Sequence, residues 1–414
     1  MIPTALSQWL RPVGKERLFF FISHILYNLV LFIVAIIAAK IAGPEKWGLI
    51  TLLMLVATYS SFLTLGINNG MGIALPLAIG NNDDLNIQKI KSTVFTALFF
   101  TSIPIGISQF MLIYYWQKPL IDWVILFGFT LSFQLLTYFK IQLRSYENFK
   151  LFTFAYFVQI ISLSIGLFGL VQGCHYLVIV GLGNLIAGLF IWIKINEKPS
   201  FQFHKESLIQ VLKIGLPVMT AGIVGELLLS VDRILISIFL EDIQLGYYGF
   251  SSNFFKGVRI IGVAVSMMVL PRIVKSFAKQ DYQQMLRYSV IQQWSSFGLM
   301  GIASIITGIC LYYMIPMFMP EFESSLRVSY ILLGVATLIP LGFYPHILNT
   351  IGKQKVYLMT QIFGIGLNVI ISTSFIYLGY GIDGVALGSL ISMIAYIILI
   401  RNLGKNAVHH LIND

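Results

Sequence analysis

Apolar residues in this 414-residue chain come in long runs cut by short polar stretches. A helix that crosses the hydrocarbon core needs about 20 such residues. Twelve runs approach or exceed that length: Leu18–Ile41, Trp47–Ala78, Thr93–Tyr115, Trp123–Phe139, Leu151–Val171, Tyr176–Ile193, Ile214–Leu240, Tyr247–Leu270, Val290–Met314, Val328–Ile351, Val356–Tyr380 and Gly384–Ile400. The second run is too long for one straight crossing. Its stretch LGINNGMGIALP, Leu65–Pro76, predicts a kink there.

The longest polar interval, about Lys194–Lys213, falls between the sixth and seventh runs. It divides the chain into an N-terminal six-helix lobe (1–195), a cytoplasmic linker (196–213) and a C-terminal six-helix lobe (214–414). The linker sequence NEKPSFQFHKESLIQVLK suits an amphipathic helix lying on the inner leaflet. A weak internal repeat supports the division. AGPEKWGLI (Ala42–Ile50) leads into the second run, and LEDIQLGYYGF (Leu240–Phe250) leads into the eighth. Both runs close on a proline, Pro76 and Pro271. Six crossings per half bring both halves in from the same side, so the repeat is parallel, with a pseudo-two-fold axis along the membrane normal. The expected fold is an all-α polytopic membrane protein of twelve helices in two lobes around a central cavity.

Composition agrees: 57% of residues are hydrophobic and only 11% charged. A soluble domain cannot enclose that much apolar side chain. The formal net charge of +10 raises the question of nucleic acid, and the placement of the cations answers it. With the N-terminus in the cytoplasm, twenty of the 27 Lys and Arg fall in cytoplasmic segments, four fall outside, and three lie inside runs. That bias predicts both termini in the cytoplasm, and it accounts for the charge without a nucleic-acid partner. The first run is too long for a signal-peptide core and lacks a small-residue cleavage site, so no cleaved signal is expected. Cys174 and Cys310 form neither a disulfide framework nor a metal pattern.

The three cations inside runs are Arg233, Lys256 and Arg259. A charge at mid-span costs about 2.5–3.5 kcal/mol on insertion scales, so such residues face a cavity or a partner. At helical spacing Ser252, Lys256 and Arg259 fall within about 60° of one another. Glu226, Ser230, Arg233 and Ser237 make a similar stripe on the seventh run, which sets Glu226 as a partner for Arg259. Asp232 points off that stripe. Two readings stay open: ion pairs that only fix helix register, or a polar, partly cationic cavity in the C-terminal lobe. The N-terminal lobe shows no ionic group at mid-span. It offers His24 and Asn28 one turn apart, and Asn68 and Asn69 in the second run, which suit sugar contacts or helix packing. Gly384 and Gly388 read as a packing pair. No metal-ligand spacing, nucleophile–base set or phosphate-cradling loop occurs, so no enzyme and no cofactor are expected.

Several segments in order carry a resemblance: AGPEKWGLITLL (Ala42–Leu53), LGINNG (Leu65–Gly70), LRSYENFK (Leu143–Lys150), LKIGLPVM (Leu212–Met219), SVDRILIS (Ser230–Ser237), LGYYGF (Leu245–Phe250), VLPRI (Val269–Ile273) and YGIDGVALGSLIS (Tyr380–Ser392). With these the chain resembles the polysaccharide-transporter branch of the multidrug/oligosaccharidyl-lipid/polysaccharide exporter superfamily, and within it the Wzx-type O-antigen flippases. The resemblance implies alternating access in a bacterial inner membrane. It also implies a cargo of undecaprenyl-pyrophosphate-linked oligosaccharide for lipopolysaccharide or other surface-polysaccharide biosynthesis. Lys256 and Arg259 match cavity cations that would meet the pyrophosphate, with Arg233 beside them. A coupling ion, H⁺ or Na⁺, would use Glu226 or Asp232, and the membrane potential would assist. A polysaccharide polymerase and a chain-length regulator would be partners. The alternatives are a drug/cation antiporter of the same superfamily, or a membrane glycan polymerase or ligase, which would usually carry a larger outside loop than this chain has.

Overall fold

A computed structural model describes residues 15–173, 175–195, 198–342, 347–348 and 350–413. Cys174 and His346 lie outside the described residues, and Cys310 is an exposed thiol. Every regular element among the described residues is helical. In chain order they are α1 (Lys15–Ser60), α2 (Ile67–Gly80), α3 (Asp84–Tyr115), α4 (Leu120–Ser145), α5 (Phe149–Val171), α6 (Tyr176–Lys194), α7 (Lys205–Leu228), α8 (Val231–Phe239), α9 (Asp242–Ala278), α10 (Tyr282–Phe318), α11 (Ser325–Leu338), α12 (Gln354–Tyr377) and α13 (Gly381–Asn413).

Ten of the helical segments are long and apolar enough to cross a membrane. The first of them, Ile22–Thr64, holds two expected crossings, because Gly43 breaks α1 with φ 74° and ψ 168°. The charged α9 is not among the ten; it covers the eighth expected run, and with it the twelve expected runs are all helical among the described residues. Only glycine takes that backbone conformation without strain, and Pro44 follows it where a preset φ suits the restart of the helix. The kink expected in Leu65–Pro76 is also present. The second run ends one helix at Ser60, passes through a single 3-10 turn, and restarts as a helix after Leu65 and Gly66, both at positive φ.

Two compact units result. Unit 1 comprises 1–41 and 53–220, and unit 2 comprises 42–52 and 221–414. The N-terminal half thus lends the start of its second crossing to unit 2. The C-terminal half lends the start of its first crossing to unit 1. Close glycine crossings hold both loans. In unit 2, a Cβ on Gly48 would lie 1.8 Å from the Asp242 carbonyl oxygen, and one on Gly246 would lie 1.9 Å from that of Pro44. The two segments that carry the internal repeat therefore pack on each other. In unit 1, a Cβ on Gly215 would lie 2.1 Å from the Gly66 carbonyl oxygen, and one on Gly70 would lie 2.0 Å from that of Val211. Side chains at these points would drive the backbones apart.

The inter-lobe segment differs from the expected surface helix. Residues 198–203 form no regular element, with a bend at Phe201, and the helix starts only at Lys205. Backbone groups of the segment bond to one face of α3. Ser200 N donates to Ser92 Oγ (3.3 Å), His204 N donates to Thr93 Oγ1 (3.1 Å), and the Gln202 carbonyl accepts from Thr96 Oγ1 (3.1 Å). Phe201 lies against Phe95 and Phe99. Hydroxyl residues on α3 give the irregular segment partners that a free amphipathic helix would not need.

Candidate functional site

The polar groups of unit 2 sort by depth. Asp232, near the start of α8, is buried at 8% exposure. It accepts a short hydrogen bond from the Tyr248 hydroxyl and a longer one, 3.3 Å, from Ser389 Oγ. Asn368 Nδ2 donates to Ser389 at 3.3 Å, and Ser372 Oγ donates to Asn368 Oδ1 at 2.7 Å. Residues from α8, α9, α12 and α13 thus converge on one carboxylate. Beside it is a narrow void of about 20 Å³ lined by Asp232, Ser252, Asn368 and Ser389, which is room for one water molecule or a small ion. Gly388 makes this convergence possible, since a Cβ there would lie 2.2 Å from Ser372 Oγ. The packing role expected for Gly384 and Gly388 fits these contacts.

The stripe on α9 divides at this point. Tyr248 and Ser252 face inward and are buried, Ser252 donating to the Tyr248 carbonyl at 2.8 Å. One and two turns further on, Lys256 is exposed and Arg259 half-buried. Lys256 lies within electrostatic reach of Arg233, Glu226, Arg259 and Asp232, and Arg259 within reach of Glu226 and Arg233. Neither cation makes an ion pair among the described residues. Arg259 instead sits over the Phe255 ring at 5.7 Å. Glu226 is therefore a neighbour in the field rather than the salt-bridge partner expected for Arg259. Arg233 is buried at 9% exposure. The Glu226–Ser230–Arg233–Ser237 stripe needs correction as well, because α7 stops at Leu228 and α8 restarts at Val231. Ser230, with φ −144°, lies in the break, and its hydroxyl donates to the Glu226 carbonyl at 2.6 Å. A single helical wheel cannot be drawn through such a break.

Unit 1 holds an ionic group that a search for charges at mid-span passes over. Lys140, counted in the sequence as a cytoplasmic loop cation, lies within α4 and is half-buried. Its ammonium donates to Gln159 Oε1 at 2.5 Å and lies 4.5 Å from the Tyr156 ring, 5.7 Å from Tyr27 and 5.8 Å from Phe152. His24 Nδ1 meets the Tyr156 hydroxyl at 2.8 Å, and Asn28 Nδ2 donates to the His24 carbonyl at 2.8 Å. These two sequence candidates therefore join a cluster that the charge distribution conceals. A signal for it exists: Lys140 follows the apolar run Trp123–Phe139 directly, with Gln142 and Arg144 beyond it, so a helix continuing past the run carries Lys140 inside. Asn68 is elsewhere, buried and donating to Gln134 Oε1 at 2.9 Å, while Asn69 is exposed. The structure does not bring Asn68 and Asn69 to the His24 cluster. Lys91 is another loop-counted cation found inside, fully buried with its ammonium 5.6 Å from the Tyr146 ring.

Known proteins share both the sequence pattern and the helical arrangement. The sequence pattern of the family described as "polysaccharide biosynthesis protein" matches residues 36–318, more than half of the chain. This chain belongs to that family. A relative at 22% identity, covering 93% of this chain and 96% of its own length, is the uncharacterized membrane protein MJ1375 of Methanocaldococcus jannaschii. Among solved structures, the lipid II flippase MurJ in an inward closed conformation superposes with a TM-score of 0.73 at 15% identity, covering 93% of this chain and 87% of that one. An inward-facing multidrug-resistance MATE transporter of the MOP superfamily gives 0.65 at 13% identity, with coverages of 94% and 96%. A mutant form of the Vibrio cholerae MATE transporter VcmN gives 0.63 at 14% identity, with 98% of each chain covered. The polysaccharide biosynthesis family member described here has the MOP-type exporter fold.

Proposed function

We propose that this protein is a flippase that moves an undecaprenyl-pyrophosphate-linked oligosaccharide, an O-antigen or similar surface-polysaccharide unit, from the cytoplasmic to the periplasmic leaflet of a bacterial inner membrane. Both termini are then cytoplasmic, as the Lys and Arg distribution favours. The observation that carries the reading is the pair Lys256 and Arg259: two cations in the middle of the long helix α9, one exposed and the other half-buried, and without a carboxylate in ion-pair distance among the described residues. Intramembrane charges of this kind mark substrate paths, and a pyrophosphate would supply the missing counter-charge through charge-assisted hydrogen bonds. Arg233, buried and within electrostatic reach of both, raises the local positive potential.

The cycle would be alternating access, with the glycan in a hydrated cavity and the prenyl tail left in lipid. In place of the sequence lobes 1–195 and 214–414 joined at 196–213, the bodies that would exchange access are the two compact units, 1–41 with 53–220 and 42–52 with 221–414. Moving about two negative charges outward through 100 mV, inside negative, gains roughly 4.6 kcal/mol. A coupling H⁺ or Na⁺ would enter at Asp232, whose hydroxyl partners and narrow void suit a small cation, with Glu226 as the accessible acid nearby. The experiment is the double substitution Lys256→Ala with Arg259→Ala, read by flipping of lipid-linked glycan in vesicles and by membrane insertion. Loss of flipping with normal insertion is expected. Normal flipping by the inserted double variant sinks the reading.

A further inference from the structure

The Lys140 cluster in unit 1 has the parts of a binding site, and the pyrophosphate reading does not use it. We propose that Lys140 and the Tyr156 hydroxyl form a second anion site, which takes the carboxylate of an acidic sugar in the transported glycan. This rests on the flippase reading and names the class of its cargo.

Geometry builds the site from the back. Asn184, buried on α6, accepts from Gln159 Nε2 at 3.0 Å. That bond turns the Gln159 oxygen toward Lys140. An ammonium has three N–H donors, and Gln159 engages one of them. The Tyr156, Tyr27 and Phe152 rings surround it but accept no conventional hydrogen bond; their cation–π attraction is modest. No carboxylate lies within ion-pair distance of Lys140 among the described residues. The second donor is set by His24. Asn28 Nδ2 lies 3.3 Å from His24 Nε2, which places the ring proton on Nδ1, where it is donated to the Tyr156 oxygen at 2.8 Å. The Tyr156 hydroxyl proton then has no acceptor of its own among the described residues. Lys140 is itself only half-buried, and His24 beside it is exposed on α1.

Charge decides between anions. One ammonium matches one carboxylate, whereas a pyrophosphate would leave negative charge over in partly desolvated surroundings. The flanking ring faces suit the apolar C–H face of a pyranose and offer nothing to a second phosphate.

The test uses the full-length protein in nanodiscs, with both unit 2 cations removed (Lys256→Gln, Arg259→Gln) so that only the unit 1 site is read. Thermal stability is titrated with free glucuronate, glucose and inorganic pyrophosphate at millimolar concentrations. Glucuronate is expected to raise the midpoint while glucose does not. Adding Lys140→Met is expected to weaken glucuronate by roughly 10- to 100-fold, the usual worth of a charged hydrogen bond. Tyr156→Phe keeps the ring and removes only the hydroxyl, and is expected to weaken glucuronate by several-fold; it stands in if the Lys140 variant does not fold. The proposal is overturned if glucuronate has no effect, if it acts undiminished on the Lys140→Met or Tyr156→Phe variant, or if pyrophosphate outcompetes it. Since no lipid-linked cargo is involved, failure here leaves the flippase reading to its own vesicle assay.

Discussion

Lys140 and Lys256 are both lysines on apolar helices, and they differ in what surrounds the ammonium. Lys140 is enclosed by three aromatic rings and held by a glutamine oxygen that is itself held by Asn184. Lys256 is exposed, with Arg233 and Arg259 adding positive potential and Glu226 and Asp232 opposing it. A cation that is packed and bonded contributes to the fold and is costly to remove. A cation that is open and crowded by like charge contributes little to the fold, and is kept for what it meets. The two units thus hold an intramembrane cation in two ways, one preset by packing and a hydrogen bond, the other left open in a positive field.

Substitutions can break that comparison. The largest effect should come from Lys256→Gln with Arg259→Gln: transport falls by more than about 100-fold if two charge-assisted bonds to cargo are lost, while the thermal midpoint holds or rises. A midpoint drop comparable to that of a core substitution would put these residues in the structural class. Next is Asp232→Ala, which strands the buried Tyr248 hydroxyl and should cost about 2–4 kcal/mol in denaturant or thermal unfolding. Gln159→Leu should cost less, about 1–2 kcal/mol, by leaving the Lys140 ammonium with ring faces alone. If its stability matches the wild type, the enclosure does not depend on that bond, and the contrast with Lys256 weakens. The smallest change belongs to Arg327→Ala. Its 3.9 Å contact with Asp383 involves an arginine side chain at 86% exposure, so the stability change should stay under about 0.5 kcal/mol.

The sequence makes the crossings legible because a run of twenty apolar residues has few other uses. It also exposes Lys256 and Arg259, since a cation far from either end of an apolar run is conspicuous. Lys140 is hidden for the opposite reason: it sits at the edge of a run, where a cation reads as a topology signal, and only the continuation of α4 to Ser145 brings it inside. The Glu226 stripe fails because helix arithmetic assumes an unbroken helix, and the chain turns at Leu229–Ser230. Asp232 looks misplaced on that wheel. It is placed by Tyr248 and Ser389, from helices that a wheel for one segment does not contain.

The exchanged segments bear on how this chain can be taken apart. A cut between residues 198 and 204 separates the two sequence halves, but it does not separate the two packed units. The N-terminal piece would keep residues 42–52, whose glycine seat is on α9 in the other piece. The C-terminal piece would keep the first turns of α7, whose seat is at Gly66–Gly70. Each fragment made alone would display a stretch of backbone shaped for an absent partner. The two produced together in one cell should assemble as a split protein, and neither should be stable without the other.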